Sequence, residues 1–207
     1  MPLPPLPSPH FSDVSVRLAS NSPRRRELLG MILPGFAIAE KRDIEETYPP
    51  TLAPEEVPAY LSRLKADAYA DTLRPGELII TADTVVILDG RILGKPAGHD
   101  EAVAMLRSLS GRTHTVVTGV TLTALDGKRS DTFSVSTDVT FGELADEEID
   151  LYVERFRPFD KAGAYGIQEW VGAAAIKRIE GSFYNVMGLP LHALYMRLRD
   201  FYQAEMS

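Results

Sequence analysis

The 207-residue sequence contains no cysteine. Disulfides, thiolate metal ligands and a cysteine nucleophile are therefore excluded. The chain suits a reducing compartment, and a cytoplasmic location is expected. No apolar run approaches the roughly 20 residues needed to cross a bilayer, so no membrane partner is expected. The opening, MPLPPLPSPHF, lacks the basic and apolar regions of a signal peptide, and prolines interrupt it throughout. Residues 1–12 read as a flexible proline-rich tail and 13–207 as a single domain. Excess positive charge is also missing. With 22 Lys and Arg against 29 Asp and Glu, the formal net charge is −7, a surface that repels nucleic acid, and none is expected as a partner. The phosphate-loop pattern G-x-x-x-x-G-K-[ST], the nucleophile elbow G-x-S-x-G and the zinc motif H-E-x-x-H are absent. His10, His99, His114 and His192 show no metal-ligand spacing and read as structural.

What is present is ordinary globular composition, 44% hydrophobic and 25% charged. Val14–Ala19 alternates like a strand. Ser22 and Pro23 then form an N-cap and first helical position, and Leu28, Leu29, Ile32 and Leu33 supply a buried stripe. Residues 36–39 read as a strand and 54–73 as a helix. The run ELIITADTVVILDGRILGKP reads as a strand with a polar interruption at Asp83, then a hairpin about Asp89-Gly90. Asp100 is expected to cap a helix ending at Leu109. A second hairpin, 114–124 with 129–140, turns at Asp126-Gly127. A helix over 145–156, a glycine-bearing loop, a strand over 171–179 and a closing helix over 190–202 complete the chain. Helices alternate with hairpins as well as single strands, which predicts an α/β fold with a mixed sheet.

Four stretches could carry chemistry. In RLASNSPRRRELLG, a strand runs directly into a helix N-terminus, where free N–H groups and the dipole favour an anion. Ser20 and Ser22 add hydroxyls, and Arg24 and Arg25 add planar forks suited to phosphate. A plain cap with solvated arginines explains the same residues about equally well. Asp83 in TADTVV could hold a metal or act as a base, or could mark a bulge. Lys95 in GKP carries little information alone. In DKAGAYGIQ, Gly163 and Gly166 permit close approach of a ligand, and the Gln168 amide could read a base edge; a surface loop is the competing reading. Asp43, Glu45 and Glu46 could hold a divalent cation or form a solvated acidic loop. Trp170 reads as packing.

Taken together, LASNSPRRRELL, ADTVV, ILGKP, AVAMLRSLSGRTHTVVTGV, DKAGAYGIQ and IEGSFYNVMGLPL resemble, in order, the Maf family of nucleoside triphosphate pyrophosphatases. The resemblance implies an inosine-triphosphatase-like α/β fold, with a mixed twisted sheet and two lobes around a cleft. It implies hydrolysis of a nucleoside triphosphate to the monophosphate and pyrophosphate. Arg24, Thr84 and Gln168 match the specificity positions of the dTTP/UTP branch, whereas the 7-methyl-GTP branch has an acid in place of the glutamine. On this resemblance Asp83 is the catalytic base. Ser20, Arg24, Arg25, Lys65, Thr84, Lys95 and Gln168 bind substrate, and Mg²⁺ or Mn²⁺ is held by Asp83 with Glu45 or Glu46. Relatives of this kind imply a homodimer. A septum-formation regulator that binds without turnover, and a pyrophosphatase for 7-methyl-GTP or other non-canonical purines, are the alternative readings.

Overall fold

A computed structural model describes residues 15–33, 35–124 and 129–203. The proline-rich segment and the Asp126-Gly127 turn lie outside these residues. Among the described residues seven strands form one mixed sheet: β1 (Ser15–Leu18), β2 (Phe36–Ile38), β3 (Glu77–Leu88), β4 (Arg91–Leu93), β5 (Thr113–Ala124), β6 (Arg129–Phe141) and β7 (Ile176–Glu180). The order is β2-β1-β3-β5-β6-β7, with β4 also paired to β3. Both pairings of β1 are parallel and the rest are antiparallel, as expected where helical crossovers give way to hairpins. The helices are α1 (Pro23–Ile32), α2 (Val57–Asp67), α3 (His99–Leu109), α4 (Asp146–Phe156), α5 (Trp170–Ala174), α6 (Phe183–Met187) and α7 (Leu191–Gln203). Among the described residues none is long and apolar enough to cross a membrane.

Several expectations are corrected. Asp83 does not interrupt its strand; β3 runs unbroken for 12 residues, because an aspartate on one face leaves the backbone ladder to β5 intact, Asp83 opposite Gly119. The 54–73 helix is shorter, ending at Asp67 before a 3₁₀ turn over Ala70–Thr72. Gly98, not Asp100, occupies the N-cap of α3, and Asp100 sits in its first turn. The stretch 171–179 is not one strand. Its first half belongs to α5, and β7 begins at Ile176.

One face of the long β3–β5–β6 unit carries two separate apolar cores. Leu78, Ile80, Val120 and Leu122 pack beneath α1 and α7. Val86, Val116, Val139 and Phe141 pack beneath α3 and α4. Between them lies a polar waist. Thr118 Oγ1 donates to Asn185 O at 3.0 Å, and Asn185 Nδ2 donates to Val116 O at 3.1 Å and Thr137 Oγ1 at 3.0 Å. The opposite face is covered by α2, whose backbone at Pro58 and Ala59 lies where any side chain on Gly119 would have to go. That close approach presses α2 onto the middle of the sheet and brings Lys65 over Asp83.

Candidate active site

The site begins with a gap in the sheet. On the edge of β3 opposite β5, β1 pairs with residues 77–80 and β4 with residues 86–88. Among the described residues the stretch between them has no strand neighbour on that edge. Bare backbone groups there must find other partners, and a cleft of about 540 Å³ opens against them. The place is a junction of parallel and antiparallel pairing beyond the C-terminal end of β1, the kind of crevice in which α/β sheets bind ligands.

Because consecutive strand residues point to opposite faces, Asp83 and Thr84 reach the gap from two sides. Asp83 faces α2, where Lys65 Nζ donates to its Oδ1 at 2.7 Å and to Glu46 Oε2 at 2.8 Å. Asp83 and Lys65 side chains are each only 14% exposed. Among the described residues Asp83 Oδ2 has no hydrogen-bond partner. Thr84 faces α1, and its Oγ1 accepts from Arg25 Nη2 at 3.0 Å.

The crowded arginines diverge. Arg25 is bound into the structure: Nη1 donates to Ala82 O at 2.8 Å, standing in for the missing strand neighbour, and Nε donates to Gly188 O at 2.8 Å. Burial lowers its pKa below the ordinary guanidinium value, with Asp83 opposing the shift. Arg24 instead reaches across the cleft, its Nη1 donating to Asp160 Oδ2 at 2.9 Å. Arg26 turns back toward Ser20 O. Ser22 caps α1, accepting from Arg25 N at 3.4 Å, and Ser20 Oγ accepts from Ser22 N at 3.2 Å, which leaves the Ser20 hydroxyl proton free to donate.

The opposite wall is the segment from Asp160 to Gln168. Partial burial opposes ionisation of Asp160, but hydrogen bonds from Lys161 and Arg24 outweigh it and hold its pKa below the usual carboxylate value. Lys161 is buried between Asp160 Oδ1 at 2.7 Å and Glu169 Oε1 at 3.1 Å. Tyr165 lines the cleft and shares a 2.8 Å hydrogen bond with His114 Nε2 behind it. Burial drives the His114 pKa down to about 4 and that of Tyr165 up.

Ser20, Arg24, Arg25, Lys65, Asp83, Thr84, Lys95, Gln168 and Glu46 all line this one cleft, as does Asp43. Glu45 is exposed and does not line it. Lys95 makes no ion pair among the described residues, and the Gln168 amide makes no hydrogen bond there. Sequence reasoning passed over Asp160 and Lys161, although DKAGAYGIQ opens with them, and over Gly188, which the Arg25 contact reveals. His99 is exposed on α3 and His192 on α7, away from the cleft lining. Among the described residues no group of three or more His, Asp or Glu could hold a metal unaided.

The fold is shared with the Ham1 protein of Staphylococcus aureus, whose structure superposes with a TM-score of 0.52 at 17% identity, covering 92% of this chain and 99% of that one. A relative from Porphyromonas gingivalis named dTTP/UTP pyrophosphatase is 58% identical over 186 residues, 89% of this chain and 92% of the relative. A Bacteroides thetaiotaomicron protein of the same name is 53% identical over 88% of this chain and 93% of its own length. The profile of the Maf-like protein family matches residues 15–201, and with relatives this similar along nearly its whole length, the chain belongs to the Maf family.

Proposed function

We propose that the protein hydrolyses dTTP and UTP to the monophosphate and pyrophosphate, removing these nucleotides or modified pyrimidine counterparts from the cellular pool. The observation that carries the reading is the cleft itself. A carboxylate with one free oxygen lies at a gap in the sheet, among Lys65, Arg25, Arg24, Lys95 and the N-terminus of α1, and an exposed amide stands on the far wall. The names of the similar proteins support the substrate.

In the scheme we infer, the triphosphate occupies the basic wall. Ser20, Arg24 and Lys95 donate to its oxygens, and Arg25 keeps Ala82, Thr84 and Gly188 in place behind them while retaining unused N–H groups. Asp83 Oδ2 orients a water and accepts its proton as the water oxygen attacks the α-phosphorus. The bond from that phosphorus to the bridging oxygen breaks, and pyrophosphate leaves with the electron pair. Positive groups already fixed in position stabilise the charge that develops. Lys65, bonded to both Asp83 and Glu46, keeps the base aimed at the gap.

The donor set also fits a divalent cation. Mg²⁺ is characteristically bound by one or two carboxylates plus substrate phosphates rather than by a closed protein cage, and Asp83 and Glu46 are two carboxylates facing one point, now joined by Lys65. When bound, Mg²⁺ or Mn²⁺ would neutralise phosphate charge there. Glu45 could join only if its loop moved. At the other end Gln168 offers a donor and an acceptor to O4 and N3–H of uracil or thymine. The reading extends to a homodimer acting on free nucleotides in the cytoplasm, which light scattering and cell fractionation test.

A panel of dTTP, UTP, CTP, GTP and 7-methyl-GTP with pyrophosphate detection tests the activity. Release from dTTP and UTP well above the others, abolished by EDTA and restored by Mg²⁺ or Mn²⁺, is expected. No pyrophosphate from either pyrimidine would overturn the reading, and full turnover in EDTA would overturn its metal part.

A further inference from the structure

Gln168 sits on a short turn whose two ends converge on one side chain outside the cleft. The turn is closed by Glu169 N donating to Gly166 O at 3.0 Å. Tyr152, on α4, is 1% exposed and does not line the cleft. Its hydroxyl accepts the Gly166 N–H at 3.1 Å and donates to Glu169 Oε2. One oxygen thus bonds the residue two before Gln168 and the residue just after it. Burial raises the Tyr152 pKa, and the Glu169 bond adds to the shift, so the hydroxyl stays protonated and remains a donor. The Tyr152 ring is itself held by stacking on Phe156 at 5.0 Å.

Among the described residues no hydrogen bond directs the Gln168 side chain. Ile167 before it is buried in the core beneath α3 and α4. A Cβ on Gly166 would come within 3.0 Å of Gln168 Nε2 and 2.8 Å of Glu169 Cδ, so both side chains fold closely over that glycine. The aim of the amide is therefore set by the turn. Glu169 Oε1 is held in turn by Lys161, Lys161 by Asp160, and Asp160 by Arg24. The clamp reaches the basic wall through an unbroken series of charged contacts.

We propose that Tyr152 is a positioning residue for nucleobase selection, its hydroxyl clamping Gly166 and Glu169 so that the Gln168 amide is presented to the base at a fixed angle. The proposal rests on the reading of Gln168 as the group that recognises the base. Tyr152→Phe keeps the ring and its packing but cuts both bonds. A turn free to tilt presents the amide less often in the right direction. The preference for dTTP over GTP and 7-methyl-GTP, as a ratio of kcat/KM values, should then fall by about three- to tenfold, the scale of one hydrogen bond. A residue that merely supported the fold would lower all substrates by a common factor and leave the ratio unmoved.

The experiment measures that ratio in the wild type, Tyr152→Phe, Gln168→Glu and the double variant. Thermal melts report the fold. A lower ratio in Tyr152→Phe, with no further fall when the change is added to Gln168→Glu, is the expected result. A shifted ratio in Gln168→Glu with an unchanged ratio in Tyr152→Phe overturns the proposal alone. An unchanged ratio in Gln168→Glu overturns the base-recognition reading and the proposal with it. If Tyr152→Phe does not fold, Glu169→Gln, which weakens the same clamp from its other end, must lower the ratio in the same direction, and an unchanged ratio there overturns the proposal.

Discussion

On the wall formed by α1, α2 and β3, Arg25 and Lys65 are already committed to partners: the Arg25 guanidinium makes three hydrogen bonds to the protein, and Lys65 bridges Asp83 and Glu46. On the wall formed by residues 160–168, Gln168 stands exposed, with no hydrogen bond among the described residues, on a turn held from behind. Preorganised charge suits a step in which charge must be stabilised without reorganisation. An amide with spare donors and acceptors suits recognition, where the bonding capacity must be left for the ligand. On the proposed reading, chemistry belongs to the first wall and choice of base to the second.

Altering the chemical wall should give the largest effect. Asp83→Asn replaces the proposed proton acceptor by an amide of the same shape. Turnover of dTTP should fall by at least about a hundredfold, the low end for loss of a general base, while nucleotide affinity measured by calorimetry survives. Near-normal turnover would remove Asp83 from that role.

Altering the other wall should change selectivity more than rate. In Gln168→Glu a carboxylate can only accept, so O4 of the base loses its donor. An unsatisfied acceptor costs about 1–3 kcal/mol, or roughly ten- to a hundredfold in the kcat/KM of dTTP and UTP relative to 7-methyl-GTP. An equal fall for all nucleotides would mean that Gln168 shapes the site without reading the base.

A smaller effect is expected behind the recognition wall. His114 is buried, its Nδ1 without a hydrogen-bond partner among the described residues, and its pKa is depressed from 6.5 to about 4 by burial, with Asp138 opposing. The unfolded chain therefore binds the extra proton first. The resulting stability is fully present above about pH 6.5 and is lost as the pH falls through the window toward 4. By pH 5 the loss from this group is about 2 kcal/mol. His114→Leu should flatten the difference between urea melts at pH 7 and pH 5 by that amount; an unchanged difference would show that His114 does not drive it.

The two walls were not equally legible in the sequence. Ser22 as the cap of α1 follows from local residue chemistry, and the hairpin at Asp89-Gly90 is marked by a pair that tolerates the positive φ of 51° and 70° found there. The gap in the sheet is not local. It arises because β1 stops pairing at Ile80 and β4 begins at Val86, and so Asp83 reads as a break when it belongs to an unbroken strand. The fate of Arg25 depends on residues 57 and 163 positions away, beyond any spacing rule. The five-residue helices α5 and α6 are too short for helical periodicity. Ser182 caps α6 by accepting from Asn185 N and Gly188 ends it, but neither was read from the sequence. The Tyr152 clamp had no signature at all, since it joins a core helix to a loop through one hydroxyl.

On the proposed reading, the α–β linkage of the nucleotide lies at Asp83 when its base is at Gln168. Phosphorus NMR of dTTP turnover, run in ¹⁸O-labelled water, tests this directly. The expected result is dTMP and pyrophosphate as the only initial products, with the label on dTMP. Initial formation of dTDP and inorganic phosphate, or label confined to pyrophosphate, would contradict it.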